Sequence, residues 1–192
     1  GSEMCIRDRS SLTDVTALNT LDGNTTGTVN TATITSITGS LADLLTAYGS
    51  NGITGLGNEA ITVSDTTSLA ASDLNSLDSK TSGLITLDTT LATLTGTVAE
   101  LNTAYGSSGL SIDGDEAITI SDTTVDAEAL NVLNNYTSGV INADTLTKLT
   151  GTLVDVNVAF AADAPASGAT ISGLGDQDVE LTDTNILAAD LD

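Results

Sequence analysis

The segment Ile61-Thr62-Val63-Ser64-Asp65-Thr66-Thr67 returns as Ile118-Thr119-Ile120-Ser121-Asp122-Thr123-Thr124, and more loosely as Val179-Glu180-Leu181-Thr182-Asp183-Thr184-Asn185. Asp65 and Asp122 are 57 residues apart, and Asp122 and Asp183 are 61. Self-similarity at such a period signals stacked supersecondary units, because each unit buries its apolar face only against its neighbours. The 192 residues are therefore read as one array, not as two small globules. Hydrophobic residues make up 40% of the chain, but only one Phe and three Tyr contribute aromatic volume. The core expected is thin and built of Leu, Ile, Val and Ala.

The double repeat divides into two similar halves. One runs from the strand Ile61-Thr62-Val63-Ser64 through Asp65-Thr66-Thr67 to a helix-like stretch with Leu69, Leu74 and Leu77. The other runs from Thr93-Leu94-Thr95 through Gly96-Thr97 to a helix with Val98, Leu101, Ala104 and Tyr105. Each helix leads through a Gly-containing turn to a second short apolar run, as in Gly83-Leu84-Ile85-Thr86-Leu87 and Gly109-Leu110-Ser111-Ile112. Strand-to-helix junctions fall at Thr38-Gly39-Ser40, Ser64-Asp65-Thr66, Thr95-Gly96-Thr97, Ser121-Asp122-Thr123, Thr150-Gly151-Thr152 and Thr182-Asp183-Thr184. The expectation is an α/β repeat solenoid of about six coils, each about 28 residues of strand, turn, strand and short helix. Equivalent strands run in the same direction, so the sheets should be parallel and the crossovers right-handed.

Two columns follow. Ile37, Val63, Leu94, Ile120, Leu149 and Leu181 are expected to form one inward rank. Ser40, Thr66, Thr97, Thr123, Thr152 and Thr184 are expected to cap helices. Ser40-x-x-Asp43, Thr97-x-x-Glu100, Thr123-x-x-Asp126 and Thr152-x-x-Asp155 read as capping boxes, with the acid also favoured by the helix dipole. Gly49 and Gly106 are placed as left-handed helix stops.

Residues 1–10 are set apart from this fold. Gly1-Ser2 reads as a tag remnant, and Met4-Cys5-Ile6-Arg7-Asp8-Arg9 resembles the translation of a transposon-type sequencing adapter, which implies a metagenomic gene. Residues 11–192 are read as a single array whose ends cut through repeats, with Pro165 marking an insertion in one helix-to-strand loop. Setting the first segment aside removes the only Cys and both Arg. The net charge is −22 and there is no His. Such a surface excludes phosphate-neutralising contacts with nucleic acid and attraction to anionic membranes, and no apolar run reaches membrane-spanning length. A Cys-poor, acidic chain rich in Thr, Ser, Asp and Gly fits a secreted or cell-surface setting without disulfides.

No catalytic constellation is present. Ser and Thr nucleophiles lack a base, and nothing singles out a carboxylate pair. Asp113, Asp115 and Glu116, together with Asp176 and Asp178, lie in inter-strand turns and offer the oxygen ligands that calcium requires. Gly57-Asn58-Glu59 stands at the corresponding turn of the first copy. The plainer reading is that Asp, Asn and Gly set the geometry of these turns and are solvated. Thr38, Ser64, Thr95, Ser121, Thr150 and Thr182, with Ser36, Thr62, Thr93 and Thr119 two residues earlier, form hydroxyl ranks that suit either strand packing or an ice-binding face. Asn19, Asn75, Asn102, Asn131 and Asn157 recur in the helices and suit a structural stack. Asp65, Asp122 and Asp183 remain without a role.

The recurring Ser-Asp-Thr-Thr, Ala-x-Asp/Glu-Leu-Asn, Leu-Thr-Gly-Thr and Gly-Leu-Gly-Asn-Glu-Ala segments resemble repeats of giant surface proteins of marine bacteria, in particular those associated with swimming in marine cyanobacteria. The resemblance spans nearly all of residues 11–192 and brings no site residues with it. It implies a structural or adhesive segment of a large extracellular protein, without catalysis or a required cofactor. The alternatives are a calcium-binding adhesion module and an ice-binding solenoid. The partners expected are further copies of the same repeat, associating head to tail, and weakly held divalent cations, with neither nucleic acid nor membrane insertion.

Overall fold

The computed structural model describes residues 13–163, 168 and 170–185. The adapter-like segment, Pro165 and the last seven residues lie outside them. The fold is mixed α/β, with six helices among the described residues and every strand pair parallel. Contacts divide the chain into two compact units.

Unit 1 is Gly1–Thr66, Asp73–Thr90 and Ser108–Ile112. It holds a five-stranded sheet in the order β1 (Thr13–Asp14), β3 (Ser36–Gly39), β5 (Ala60–Val63), β7 (Ile85–Leu87), β9 (Leu110–Ser111), and a two-stranded sheet of β2 (Val29–Asn30) and β4 (Ile53–Thr54). Helices α1 (Val15–Gly23), α2 (Leu41–Gly49) and most of α3 (Ala71–Asp78) complete it. Unit 2 is Thr67–Ser72, Leu91–Ser107 and Asp113–Asp192. Its five-stranded sheet runs β6 (Ser68–Ala70), β8 (Thr93–Gly96), β10 (Ala117–Ile120), β12 (Ile141–Asn142), β14 (Ile171–Ser172). A three-stranded sheet of β11 (Thr124–Asp126), β13 (Lys148–Gly151) and β15 (Asp178–Leu181) joins α4 (Val98–Gly106), α5 (Ala127–Tyr136) and α6 (Leu153–Ala162).

Period-2 alternation puts one rank of each sheet in the core. Ile37, Ile61 and Ile85 pair in register and are buried in unit 1; Leu94, Ile118, Ile141 and Ile171 do the same in unit 2. Of the expected inward column, Ile37, Val63, Leu94, Ile120 and Leu149 are buried and Leu181 is exposed, but no two of the six are pairing partners. Ile37 pairs with Ile61, not Val63, and Val63 sits between Gly39 and Leu87. Leu94 pairs with Leu69 and Ile118, and Leu149 with Val125 and Val179. The reason is that most pairing follows a path of 24 or 25 residues, shorter than the helix-to-helix spacing. The chain makes up the difference after β5 and β10, where Ser64–Thr67 and Ser121–Thr123 lead into an extra strand before the helix begins.

That extra strand also reassigns the caps. Ser40, Thr97 and Thr152 cap α2, α4 and α6 by accepting the Asp43, Glu100 and Asp155 amides, and Glu100 closes a full capping box. Thr66 and Thr123 cap nothing, since β6 and β11 follow them. Asp126, expected as the acid of a box, is itself the N-cap of α5 and accepts from Glu128 and Ala129. Gly49 and Gly106 are the last helical residues, and Ser50 and Ser107 beyond them turn to extended geometry, so no left-handed stop is used there. The glycine that ends β8 has a different duty. A Cβ on Gly96 would come within 3.2 Å of the Ala71 methyl at the start of α3.

Candidate functional site

Two kinds of carboxylate recur with the repeat, and both turn toward the protein. The first lies in the turn before β5 and before β10. Glu59 is buried, and its Oε2 accepts the Tyr48 hydroxyl at 2.8 Å, the Gly57 amide at 2.9 Å and the Asn58 amide at 3.2 Å. Glu116 is buried in the same way and accepts the Tyr105 hydroxyl at 3.2 Å and the Gly114 amide at 3.0 Å. Gly114 has φ 77°, a left-handed conformation that suits glycine and folds the turn back over the carboxylate. Burial raises the Tyr48 and Tyr105 phenol pKa values above the ordinary range, and the neighbouring glutamate raises each further. Tyr105 also stacks on Tyr136, with ring centroids 5.9 Å apart and planes 8° from parallel.

The third copy changes both partners. Phe160 replaces the tyrosine and Gln177 the glutamate. Gln177 Oε1 still accepts the Gly175 amide, at 2.7 Å, and its Nε2 donates to the Gly173 carbonyl at 2.6 Å. Where no phenol is available the acid becomes a neutral amide that supplies its own donor. This is what the cost of burying an unpaired carboxylate would select.

The second kind of carboxylate is the aspartate left unassigned by the sequence. Asp65 Oδ2 accepts the Leu41 amide at 2.7 Å, Asp122 Oδ2 the Val98 amide at 2.8 Å, and Asp183 Oδ2 the Leu153 amide at 2.6 Å. Each acceptor meets the first residue of α2, α4 or α6. A helix start leaves its first amides without intrahelical acceptors, and a negative charge there is favoured by the dipole. The N-cap hydroxyl serves one of those amides, and the aspartate just beyond β5, β10 or β15 serves another.

The residues expected to hold calcium are placed as follows. Asp113 and Asp115 are exposed in the turn between β9 and β10; Asp176 and Asp178 are exposed between and within β14 and β15. Glu116 is turned away from them into the tyrosine contact. Among the described residues, no three His, Cys, Asp or Glu side chains group as a metal site. The hydroxyl ranks are regrouped: Thr38, Thr62, Thr86 and Ser111 stand in register on one side of the unit 1 sheet, while Ser64 and Ser121 lie beyond the ends of β5 and β10. Several hydroxyls are spent on backbone carbonyls, Thr38 donating to Thr62 and Thr95 to Leu69. The helix asparagines donate to the next helix: Asn19 to Asp43, Asn102 to Ala129 and Asn131 to Asp155, each at 2.9 Å.

No family model matches the chain, and no curated protein or solved structure is significantly similar to it. No described helix is long and apolar enough to cross a membrane. The Tyr–Glu pair is the feature that sequence reasoning missed. Its signal was the constant spacing of Tyr48 to Glu59 and Tyr105 to Glu116, and the joint exchange to Phe160 and Gln177.

Proposed function

We propose that the chain is a non-catalytic structural and adhesive repeat segment of a large extracellular surface protein, of the kind its repeats resemble. One observation carries the reading. The carboxylates that recur with the repeat accept hydrogen bonds from the protein's own amides and phenols. They are the fastenings between successive segments of chain, and the acidic remainder of the surface keeps such a segment soluble. Parallel pairing at a near-constant register supports the finer reading, a right-handed solenoid of repeats.

Two measurements test this. Small-angle scattering at low concentration is expected to give a rod-like profile, and a globular profile would overturn the solenoid. Digestion with proteinase K is expected to be slow along the described residues, because a segment built to persist outside the cell must resist cleavage. Trypsin is uninformative with four basic residues in the chain. Rapid internal cleavage under native conditions would remove the structural role.

A further inference from the structure

Asn51-Gly52 is the single Asn-Gly pair of the sequence. It lies in the turn between α2 and β4, where Asn51 is exposed and its side chain has no hydrogen-bond partner among the described residues. Asparagine before glycine is a reactive pair. The glycine amide nitrogen can approach the asparagine side-chain carbon, because no Cβ on the following residue obstructs it and the backbone turns readily into line.

The fold demands the glycine but not the asparagine. A Cβ on Gly52 would lie 2.0 Å from Asp22 Oδ1, and one on Gly109, its counterpart in the later copy, 2.1 Å from Asp78 Oδ1. The aspartates at the ends of α1 and α3 thus close both positions to any side chain. Asn51 is answered by Ser108, in Gly49-Ser50-Asn51-Gly52 against Gly106-Ser107-Ser108-Gly109. A structural requirement at position 52 therefore leaves a reactive amide at position 51 that the repeat can do without.

Hydrogen bonds restrain the pair. Ser50, the C-cap of α2, donates its hydroxyl to Asp22 Oδ2 at 2.6 Å and accepts the Gly52 amide at 3.0 Å. The Gly52 carbonyl accepts the Val29 amide at 2.7 Å. While the bond to Ser50 holds, the Gly52 nitrogen is not available as a nucleophile.

We infer that Asn51 is a self-modification site held in check by the Asp22–Ser50 pair. When the Gly52–Ser50 bond opens, the Gly52 nitrogen gives its proton to hydroxide and attacks Asn51 Cγ. The new C–N bond closes a succinimide ring, the Cγ–Nδ2 bond breaks, and ammonia leaves with a proton from water, which restores the hydroxide. Water then opens the ring. Attack at the side-chain carbonyl yields aspartate, and attack at the main-chain carbonyl yields isoaspartate. One water enters, one ammonia leaves and a negative charge is added, without oxidant, metal or enzyme. Isoaspartate carries the main chain through the side-chain carbons and lengthens the backbone just before Gly52. Gly52 lies between Asp22 and Val29 with no room to absorb the change, so β4 shifts against β2 and the buried Ile53 moves with it. A transient opening of this turn is thereby converted into a permanent loosening of the two-stranded sheet.

Ageing of the full chain in mildly alkaline buffer tests this, with peptide mass spectrometry to locate conversion and isoaspartyl methylation to identify the product. Asn51 is expected to convert before any other asparagine. Ser50→Ala should speed the conversion by about tenfold, the rate equivalent of one hydrogen bond. Asp65→Ala lowers stability at the opposite end of α2 and should leave the rate unchanged. Asn51→Ser, the residue of the later copy, should remove the product and keep the thermal melt. The aged chain should melt below the fresh one, whereas Asn51→Asp, which adds the charge without lengthening the backbone, should melt with it. Earlier conversion of another asparagine overturns the inference, as do equal rates in Ser50→Ala and the parent chain. Acceleration by Asp65→Ala equal to that by Ser50→Ala would assign control to general unfolding and overturn it too, and so would an aged chain that melts with the fresh one.

Discussion

Asp65 accepts the backbone amide of Leu41 at 2.7 Å, across 24 residues of chain, and so fastens the start of α2 from the segment just beyond β5. Asp122 and Val98 repeat the contact at 2.8 Å. A local need of the helix, an acceptor for its first amide, is met by a residue whose position depends on strand pairing. Helix initiation and sheet stacking are thereby coupled.

Removing that acceptor should cost stability without changing the fold. Asp65→Ala and Asp122→Ala are each expected to lower unfolding free energy by about 1 kcal/mol, the usual worth of a capping contact. Asp65→Asn and Asp122→Asn keep an acceptor but lose the charge, and should cost less than the alanines. Urea unfolding followed by circular dichroism measures the difference. Equal effects from Asn and Ala would show that charge, not the hydrogen bond, carries the contact.

The Tyr105–Glu116 contact makes a sharper test, because the protein contains its own double substitution. Tyr105→Phe strips a donor from a buried carboxylate and should cost roughly 1–3 kcal/mol. Glu116→Gln alone leaves the phenol facing an amide and should also destabilise. The pair Tyr105→Phe with Glu116→Gln reproduces Phe160 and Gln177, and should be less destabilised than the sum of the single changes. A double-mutant cycle from urea unfolding reads the coupling directly. Strict additivity would mean that the matched exchange in the third copy has no energetic basis.

How far the sequence announced these contacts can be argued from the same residues. Ser40, Thr97 and Thr152 were legible as caps because a cap and its third following residue are local. Burial of Ile61 and Ile118 was legible from period-2 alternation with Val63 and Ile120, although the same pattern at Val179 leaves that residue exposed. The pairing partners were not. Sequence similarity relates Ile37 to Leu94, while pairing relates Ile37 to Ile61, and nothing in a repeat's period states the path length at which its strands meet. Asp65 stayed unexplained for that reason: its partner is near only when β3 and β5 lie side by side. Glu116 reads as a cation ligand because the turn holds three acids within four residues, and which one points inward depends on Tyr105, eleven residues earlier.

Calcium should therefore have no specific effect through Glu116. Asp113, Asp115, Asp176 and Asp178 are exposed, so divalent ions reach them as they reach the rest of an acidic surface. Chelation is expected to leave the melting temperature unchanged. Calcium and magnesium at matched ionic strength should raise it equally, by screening a charge of −22. A stabilisation by calcium that magnesium does not reproduce would assign those turns to a true site.

Glycine at position 83 should be far less replaceable than at position 27. Gly83→Ala places a methyl group on the Glu59 carbonyl, which is backbone and cannot swing aside, so β5 or β7 must shift. Overpacking of this kind costs about 1–3 kcal/mol. Gly139→Ala should behave alike against Glu116. Gly27→Ala, whose Cβ would meet only the Thr25 hydroxyl at 3.4 Å, should leave the melt within error of the parent chain. Equal losses at all three positions would mean that the alanine acts through the local turn and not through the neighbouring strand.

The pH dependence has two sides with opposite signs. The Glu100 carboxyl is held below the ordinary glutamate value of 4.5 by the Thr97 amide and then its hydroxyl, and the Glu180 carboxyl by its hydrogen bond to Lys148 and then that residue's charge. A group depressed in the folded state adds stability above its unfolded pKa, and that contribution disappears as pH falls through the folded value. Glu180 is exposed and Glu100 is half-buried beside solvent, so each effect is small; the measurable sign is a titration midpoint below 4.5 for Glu100 by NMR, moving up toward 4.5 in Thr97→Ala. Tyr48 and Tyr105 act at the other end. Burial, with the adjacent glutamates, raises both phenols above the ordinary value of 10.0, so their contribution is complete below pH 10 and is lost as pH climbs toward the folded pKa. Near-UV absorbance titration should show these two phenols ionising only as the protein unfolds. Ionisation of both near pH 10 with the fold intact would contradict the buried Tyr–Glu geometry.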